Sequence, residues 1–146
     1  MIVVLDTNVL VSALISPFGN PARVVDLVLT GDLVPAYDDR LVAEYRSVLR
    51  RARFGFDPGS IEDLLAFIAG DGIGVTAPPW PMPLPDPDDA AFLEVAAAAG
   101  ATLITGNARH FPAGVTGSVV VATPAEFLAA WSSHGPRPSG SRSPGS

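Results

Sequence analysis

The sequence predicts an α/β fold in one domain, with a central, mostly parallel sheet of four to five strands covered by helices on both faces. Three observations carry that expectation. Short apolar runs such as Ile2-Val3-Val4-Leu5 and Thr102-Leu103-Ile104 have the continuous hydrophobicity of strands buried on both faces. Between them lie segments with helical spacing and recognisable start and stop residues. A chain of 146 residues with 48 % hydrophobic content can bury one real core and is too short for two comfortable ones.

Taken in order, Ile2 to Leu5 is a buried strand closed by Asp6-Thr7-Asn8, and Val9 to Leu14 reads as a short helix. Asn20 followed by Pro21 supplies a cap and a first-turn proline for a helix over 22–30, ended by Gly31. Leu33-Val34 reads as the second strand. Asp38 or Asp39 caps a helix to about Arg51, with Leu41, Tyr45 and Val48 repeating at i, i+4 and i+7. Another helix starts after Asp57-Pro58 and ends near Gly70. Gly74-Val75-Thr76 is a short strand, and the six prolines between Ala77 and Pro87 force an extended loop that leads to Asp86, Asp88 and Asp89. Asp88 or Asp89 starts a helix through Ala99, with Gly100 as its stop. Thr102 to Ile104 is a strand closing on Thr105-Gly106-Asn107, and Val119 to Val121 is the last strand. Thr123-Pro124-Ala125-Glu126 is a capping box opening a final helix to Trp131. The domain therefore spans 1–131, and the Pro, Gly, Ser and Arg of 132–146 are those of a disordered tail.

Composition removes several function classes. No apolar run approaches the roughly 18–20 residues of a membrane span, and no basic segment with a cleavage site opens the chain, so the cytoplasm is the expected location. The absence of Cys rules out disulfides, thiolate metal sites and Cys nucleophiles. Neither a Gly-rich phosphate loop nor G-x-S-x-G occurs. A net charge of -6 argues against coating nucleic acid by bulk attraction. The charges are nonetheless segregated: Arg40, Arg46, Arg50, Arg51 and Arg53 share one stretch, and Asp86, Asp88 and Asp89 another.

The acids bear most directly on chemistry. Asp6 ends a buried strand, so its carboxylate is either an Asx-turn acceptor or a ligand facing a cleft. Glu44 lies at the border of its helix's apolar stripe, either solvated, paired with a neighbouring Arg, or near the sheet edge. One of Asp86, Asp88 and Asp89 suffices to cap the following helix, and the surplus carboxylates repel one another unless they share a cation. Oxygen donors of this kind suit Mg²⁺ or Mn²⁺ rather than zinc. His110 has no convincing acid/base partner in the sequence and is expected in a surface or capping contact.

The strings LDTNVLVSAL, DPDDAAFLEVA, LITGNARHFP and TPAEFL, with Glu44 on the helix between the first two, together resemble the PIN-domain family. Within it they are similar to VapC-type toxin components of bacterial toxin-antitoxin systems. The resemblance runs from Ile2 to about Trp131 and implies a three-layer α/β/α sandwich and a Mg²⁺- or Mn²⁺-dependent ribonuclease. It implies Asp6, Glu44, Asp89 and Asp86 as catalytic acids, the first three as metal ligands. Thr7, Asn8, Ser12, Asn107 and Asp88 are implied as their support. Asn107 stands where the family usually has a fourth acid, which brings no negative charge. Arg40, Arg46, Arg50, Arg51 and Arg109 are candidates to grip RNA phosphates. A cognate antitoxin and a homodimer are the implied partners. The alternative is a non-catalytic module that binds RNA or a protein; a phosphatase with Asp6 as nucleophile is disfavoured by Asn8, two residues on.

Overall fold

The computed structural model describes residues 1–134. Five strands, β1 (Ile2–Leu5), β2 (Val34–Tyr37), β3 (Ile73–Gly74), β4 (Thr102–Ile104) and β5 (Val121–Ala122), form one sheet in the order β3-β2-β1-β4-β5. Every neighbouring pair is parallel. The helices are α1 (Thr7–Ile15), α2 (Asn20–Leu29), α3 (Asp39–Leu49), α4 (Pro58–Asp71), α5 (Ala90–Ala99) and α6 (Pro124–His134). Helices cover both faces, giving the expected three-layer α/β/α sandwich. Among the described residues no helix is long and apolar enough to cross a membrane.

The sheet's order explains its composition. β1 is central, so Val3, Val4 and Leu5 are buried on both faces, as are Leu103 and Ile104 of its neighbour β4. Strand order reverses at β1: β2 and β3 lie to one side, β4 and β5 to the other. Chain segments leaving β1 and β4 therefore diverge, opening a crevice beyond their carboxyl ends. α5 lies across β1, β2 and β4 with Phe92, Leu93, Val95 and Ala96 buried, and ends at Gly100, whose φ of 63° suits a residue without Cβ.

Three strands are displaced from their expected positions. β2 runs to Tyr37 although Pro35 argues against a strand interior. Val34 N–H donates to the Met1 carbonyl, so the alternating pattern aims the position of Pro35's missing N–H at β3, which pairs only with Ala36 and Tyr37. β3 ends at Gly74, and β5 begins at Val121 rather than Val119. The helix expected from Ala22 starts at Asn20, with Gly19 as its cap residue, so Asn20 does not cap it. The Thr123 and Glu126 capping box forms as read, each side chain accepting from the other's backbone N–H, at 3.1 and 2.9 Å. α6 continues past Trp131 to His134, so 132–134 are helical; the rest of the expected tail, 135–146, lies outside the described residues.

The Pro-rich loop is strapped to the domain. Trp80 N–H donates to Glu94 Oε2 at 2.7 Å and Trp80 Nε1 to the Val115 carbonyl at 2.7 Å. Glu94 Oε1 accepts from Arg40 Nη1 at 2.6 Å, tying α5 to α3. The chain thus reaches Asp86 from a fixed direction.

Candidate active site

The crevice at the strand-order reversal holds a cleft of about 340 Å³, lined in part by Asp6, Thr7, Asn8, Ser12, Glu44, Asp89 and His110. Asp6 enters because β1 ends there: its N–H donates to the Ile104 carbonyl, the last rung with β4, and its side chain is carried past the sheet. The carboxylate makes no cap hydrogen bond to α1; Oδ2 accepts instead from Thr105 Oγ1 at 2.8 Å and Asn8 Nδ2 at 3.3 Å. Asn8 Oδ1 in turn accepts from Gly106 N–H at 2.9 Å, joining the ends of β1 and β4. Asp6 is 6 % exposed, and burial holds its carboxyl above the usual range against the Thr105 hydroxyl, the Thr7 and Asn8 amides and His110.

Asp89 arrives from the other direction. Asp86 is exposed and caps the 3₁₀ turn Pro87–Asp89, its Oδ1 accepting from Asp88 N–H at 3.0 Å. Asp89, at the start of α5, has no capping bond to make. Its side chain is 13 % exposed, and Oδ2 is 3.0 Å from His110 Nδ1, within ion-pair reach but outside hydrogen-bond geometry. Oδ2 is thus buried without a hydrogen-bond partner. Burial, then the charges of Asp6 and Asp86, push Asp89 up to about 6, with His110 opposing.

His110 lies at the surface as expected, its side chain 43 % exposed, but it also meets two residues of the site. The 3₁₀ turn Ala108–His110 folds the chain back after β4, placing the ring between Asp89 and Asn107, whose Nδ2 is 3.0 Å from Nε2. With the amide donating to Nε2, Nδ1 carries the proton facing Asp89. The sequence shows only a lone His beside Arg109; the contact depends on a turn that apolar periodicity does not register.

Glu44 is exposed across the same cleft and, among the described residues, makes no hydrogen bond or ion pair. Its helix is pinned one residue on, where the buried Tyr45 hydroxyl donates to the Leu5 carbonyl at 2.6 Å. Tyr45 read in the sequence only as part of an apolar stripe. Among the described residues no three His, Asp or Glu groups form a ready metal cage, so the expected convergence of 6, 44 and 89 on one ion is not present in this geometry. The physical reason lies in Glu44's exposure: its carboxylate has no partner drawing it toward the buried Asp6 and Asp89. Asp88 lines a neighbouring hollow with Glu44 rather than the cleft itself.

The arginines divide. Arg40 is held by Asp38 at 2.7 Å and Glu94 at 2.6 Å. Arg46 grips Glu62 through Nε and Nη2 at 2.9 and 3.1 Å, and Arg50 lies 3.9 Å from the same carboxylate. Arg51 lines the acidic cleft together with Arg53, which was not among the residues expected to meet phosphate. Arg109 is exposed and is not among the lining residues.

Reversed strand order, a carboxylate at the end of the first strand and a second at the start of the helix before the fourth define the class. A family model described as PIN domain matches residues 2–109, and the chain belongs to that family. Its fold is similar to FitAB bound to IR36 DNA fragment, at 18 % identity and TM-score 0.60 over 84 % of this chain and 94 % of that one. It is similar also to VapBC2 from Rickettsia felis bound to a DNA fragment from their promoter, at 15 % identity and TM-score 0.55 over 84 % and 98 %. FitAcB from Neisseria gonorrhoeae matches at 17 % identity and TM-score 0.54 over the same 84 % and 98 %. No curated protein matches the sequence.

Proposed function

We propose that the chain is a Mg²⁺- or Mn²⁺-dependent endoribonuclease, the toxin of a toxin-antitoxin pair, acting in the cytoplasm as a homodimer and silenced by a cognate antitoxin. The observation that carries the catalytic half is the presence of Asp6 and Asp89 in one cleft, the first buried and the second 13 % exposed, with Asp89 Oδ2 in no hydrogen bond. Family membership and the likeness to FitAB and VapBC2 support the toxin half.

The residues fit a hard divalent ion. All the acidic donors are oxygens, Asp89 Oδ2 makes no hydrogen bond although the His110 ring lies 3.0 Å away, and Mg²⁺ commonly takes only one or two carboxylates while keeping its waters. Asp6 and Asp89 would hold it, with Glu44 free to turn toward them. Such an ion supplies acidification of a water and neutralisation of phosphoryl charge. Thr105 and Asn8 fix the orientation of Asp6, and the imidazole of His110 steadies Asp89. Glu44, exposed at the rim and without a hydrogen-bond or ion-pair partner among the described residues, accepts the proton of the attacking water or orients it. Arg51 and Arg53 hold phosphates beside acids that would otherwise repel them. Asn107 brings no charge and occupies itself with His110, which supports a single ion rather than two.

The test is incubation of the purified protein with labelled RNA and Mn²⁺, beside EDTA and an Asp6→Asn variant. Cleavage abolished in both controls supports the nuclease. Binding without cleavage supports the second reading, a non-catalytic RNA or protein-binding module, which Asn107 in place of an acid favours.

A further inference from the structure

At one rim of the cleft the link between α3 and α4 carries Arg51-Ala52-Arg53-Phe54-Gly55-Phe56. Ala52–Phe54 is a 3₁₀ turn, and Gly55 follows with φ 64°, a conformation that costs glycine little and lets the chain reverse between two phenylalanines. Their rings stack, centroids 5.3 Å apart and planes within 11°. Phe56 packs on the domain core, whereas Phe54 lines the cleft. The Arg53 guanidinium carbon is 4.9 Å from the Phe54 ring centroid. Arg40 and Arg46 of the same basic stretch are neutralised by carboxylates and Arg50 lies near one; Arg51 and Arg53 have no acidic partner among the described residues. An aromatic ring backed by Phe56, with the Arg53 guanidinium over it and Arg51 on the same cleft, opening onto the acids, is not needed to close the core.

The geometry points to Phe54 and the Arg53 guanidinium over it as a joint stacking platform for an unpaired base of single-stranded RNA next to the phosphate in the Asp6–Asp89 cleft, Phe54 acting as a substrate-positioning residue. The inference rests on the nuclease reading and adds to it a residue that positions the substrate. Bases stack on aromatic rings and guanidinium planes without regard to sequence, but only when they are unpaired. Arg51 and Arg53 take the flanking phosphates. Duplex RNA, whose bases are already stacked, cannot use Phe54, so the site prefers loops and single strands.

The experiment measures fluorescence anisotropy of a short labelled single-stranded RNA with EDTA present, for the wild type, Phe54→Ala and Phe54→Trp. The comparison ligands are an abasic oligomer of equal length and an RNA duplex. Phe54→Ala is expected to bind the single strand roughly tenfold more weakly, to leave abasic and duplex binding unchanged, and to be rescued by Phe54→Trp. The added indole of Phe54→Trp should be quenched by the single strand and not by the abasic oligomer, a signature that loss of folding in the alanine variant cannot imitate. Equal affinity of wild type and Phe54→Ala for the single strand, or an unquenched indole, overturns the platform while RNA cleavage in Mn²⁺ leaves the nuclease standing. A wild type that neither binds nor cuts RNA overturns both.

Discussion

Glu94 and Asp89 lie on or at the start of the same helix, both mostly buried, and meet opposite fates. Glu94 has both oxygens taken, one by Arg40 and one by the Trp80 backbone, and fastens three segments together. Asp89 shares its surroundings with Asp6, has Oδ2 3.0 Å from the His110 ring but in no hydrogen bond, and is pushed up to about 6. Buried carboxylates that serve architecture are satisfied by the protein itself. One crowded by a second carboxylate and faced by a single imidazole is a candidate functional group.

Exchanging charge for its amide at the two positions breaks the comparison most directly. Asp89→Asn is expected to lower Mn²⁺-dependent RNA cleavage by at least the roughly 100-fold seen when metal-supporting residues are lost, with no loss of folding. Glu94→Ala should do the reverse: unfolding by urea is expected to become easier by about 2–3 kcal/mol, because Trp80 N–H and Arg40 lose their acceptor, while cleavage per folded molecule changes little. A fully active, fully stable Glu94→Ala would show that the strap carries no weight.

The second contrast is in pH. Asp89 binds its proton more tightly folded than unfolded, so between its ordinary value of 3.8 and about 6 the native state holds more protons. The stabilising contribution of the protonated form is therefore full below about pH 4 and is lost as pH rises through about 6. Metal-free wild type should gain stability relative to Asp89→Asn on acidification from pH 7 to 5, by a few degrees in Tm at most, and saturating Mn²⁺ should abolish the difference. Scanning calorimetry of both proteins across that range checks it; a parallel response would remove Asp89 from the account.

The smallest expected effect is at Thr105. Its hydroxyl donates to Asp6 at 2.8 Å and accepts from Asn107 N–H at 3.0 Å, so Thr105→Val should cost about 1 kcal/mol of stability. Mn²⁺ affinity should fall about tenfold as Asp6 loses its orientation, measured by titration.

What could be read in the sequence divides along similar lines. β1, β4, the stop at Gly100 and the Thr123 capping box depend on local pattern and stand where local pattern puts them. Asp6 stands out in the sequence as a carboxylate at a strand end and Asp86, Asp88 and Asp89 as a surplus of acids at a helix start, but only the family resemblance singles out Asp89 among the three. β2 was misplaced because Pro35 hides a strand whose missing donor faces a short neighbour. The contact of His110 with Asp89 was not legible because a turn after β4 decides its position. Arg40 drew attention as a phosphate ligand because its partner Glu94 is 54 residues away, and no spacing rule connects them.

Asp6 and Asp89 are proposed to hold one divalent cation together. Isothermal titration of Mn²⁺ at pH 7 into the wild type, Asp6→Asn, Asp89→Asn and Glu94→Gln tests it directly. Binding by the wild type and Glu94→Gln that disappears in both aspartate variants is the expected result; no binding by the wild type, or binding indifferent to Asp6 and Asp89, would contradict the account.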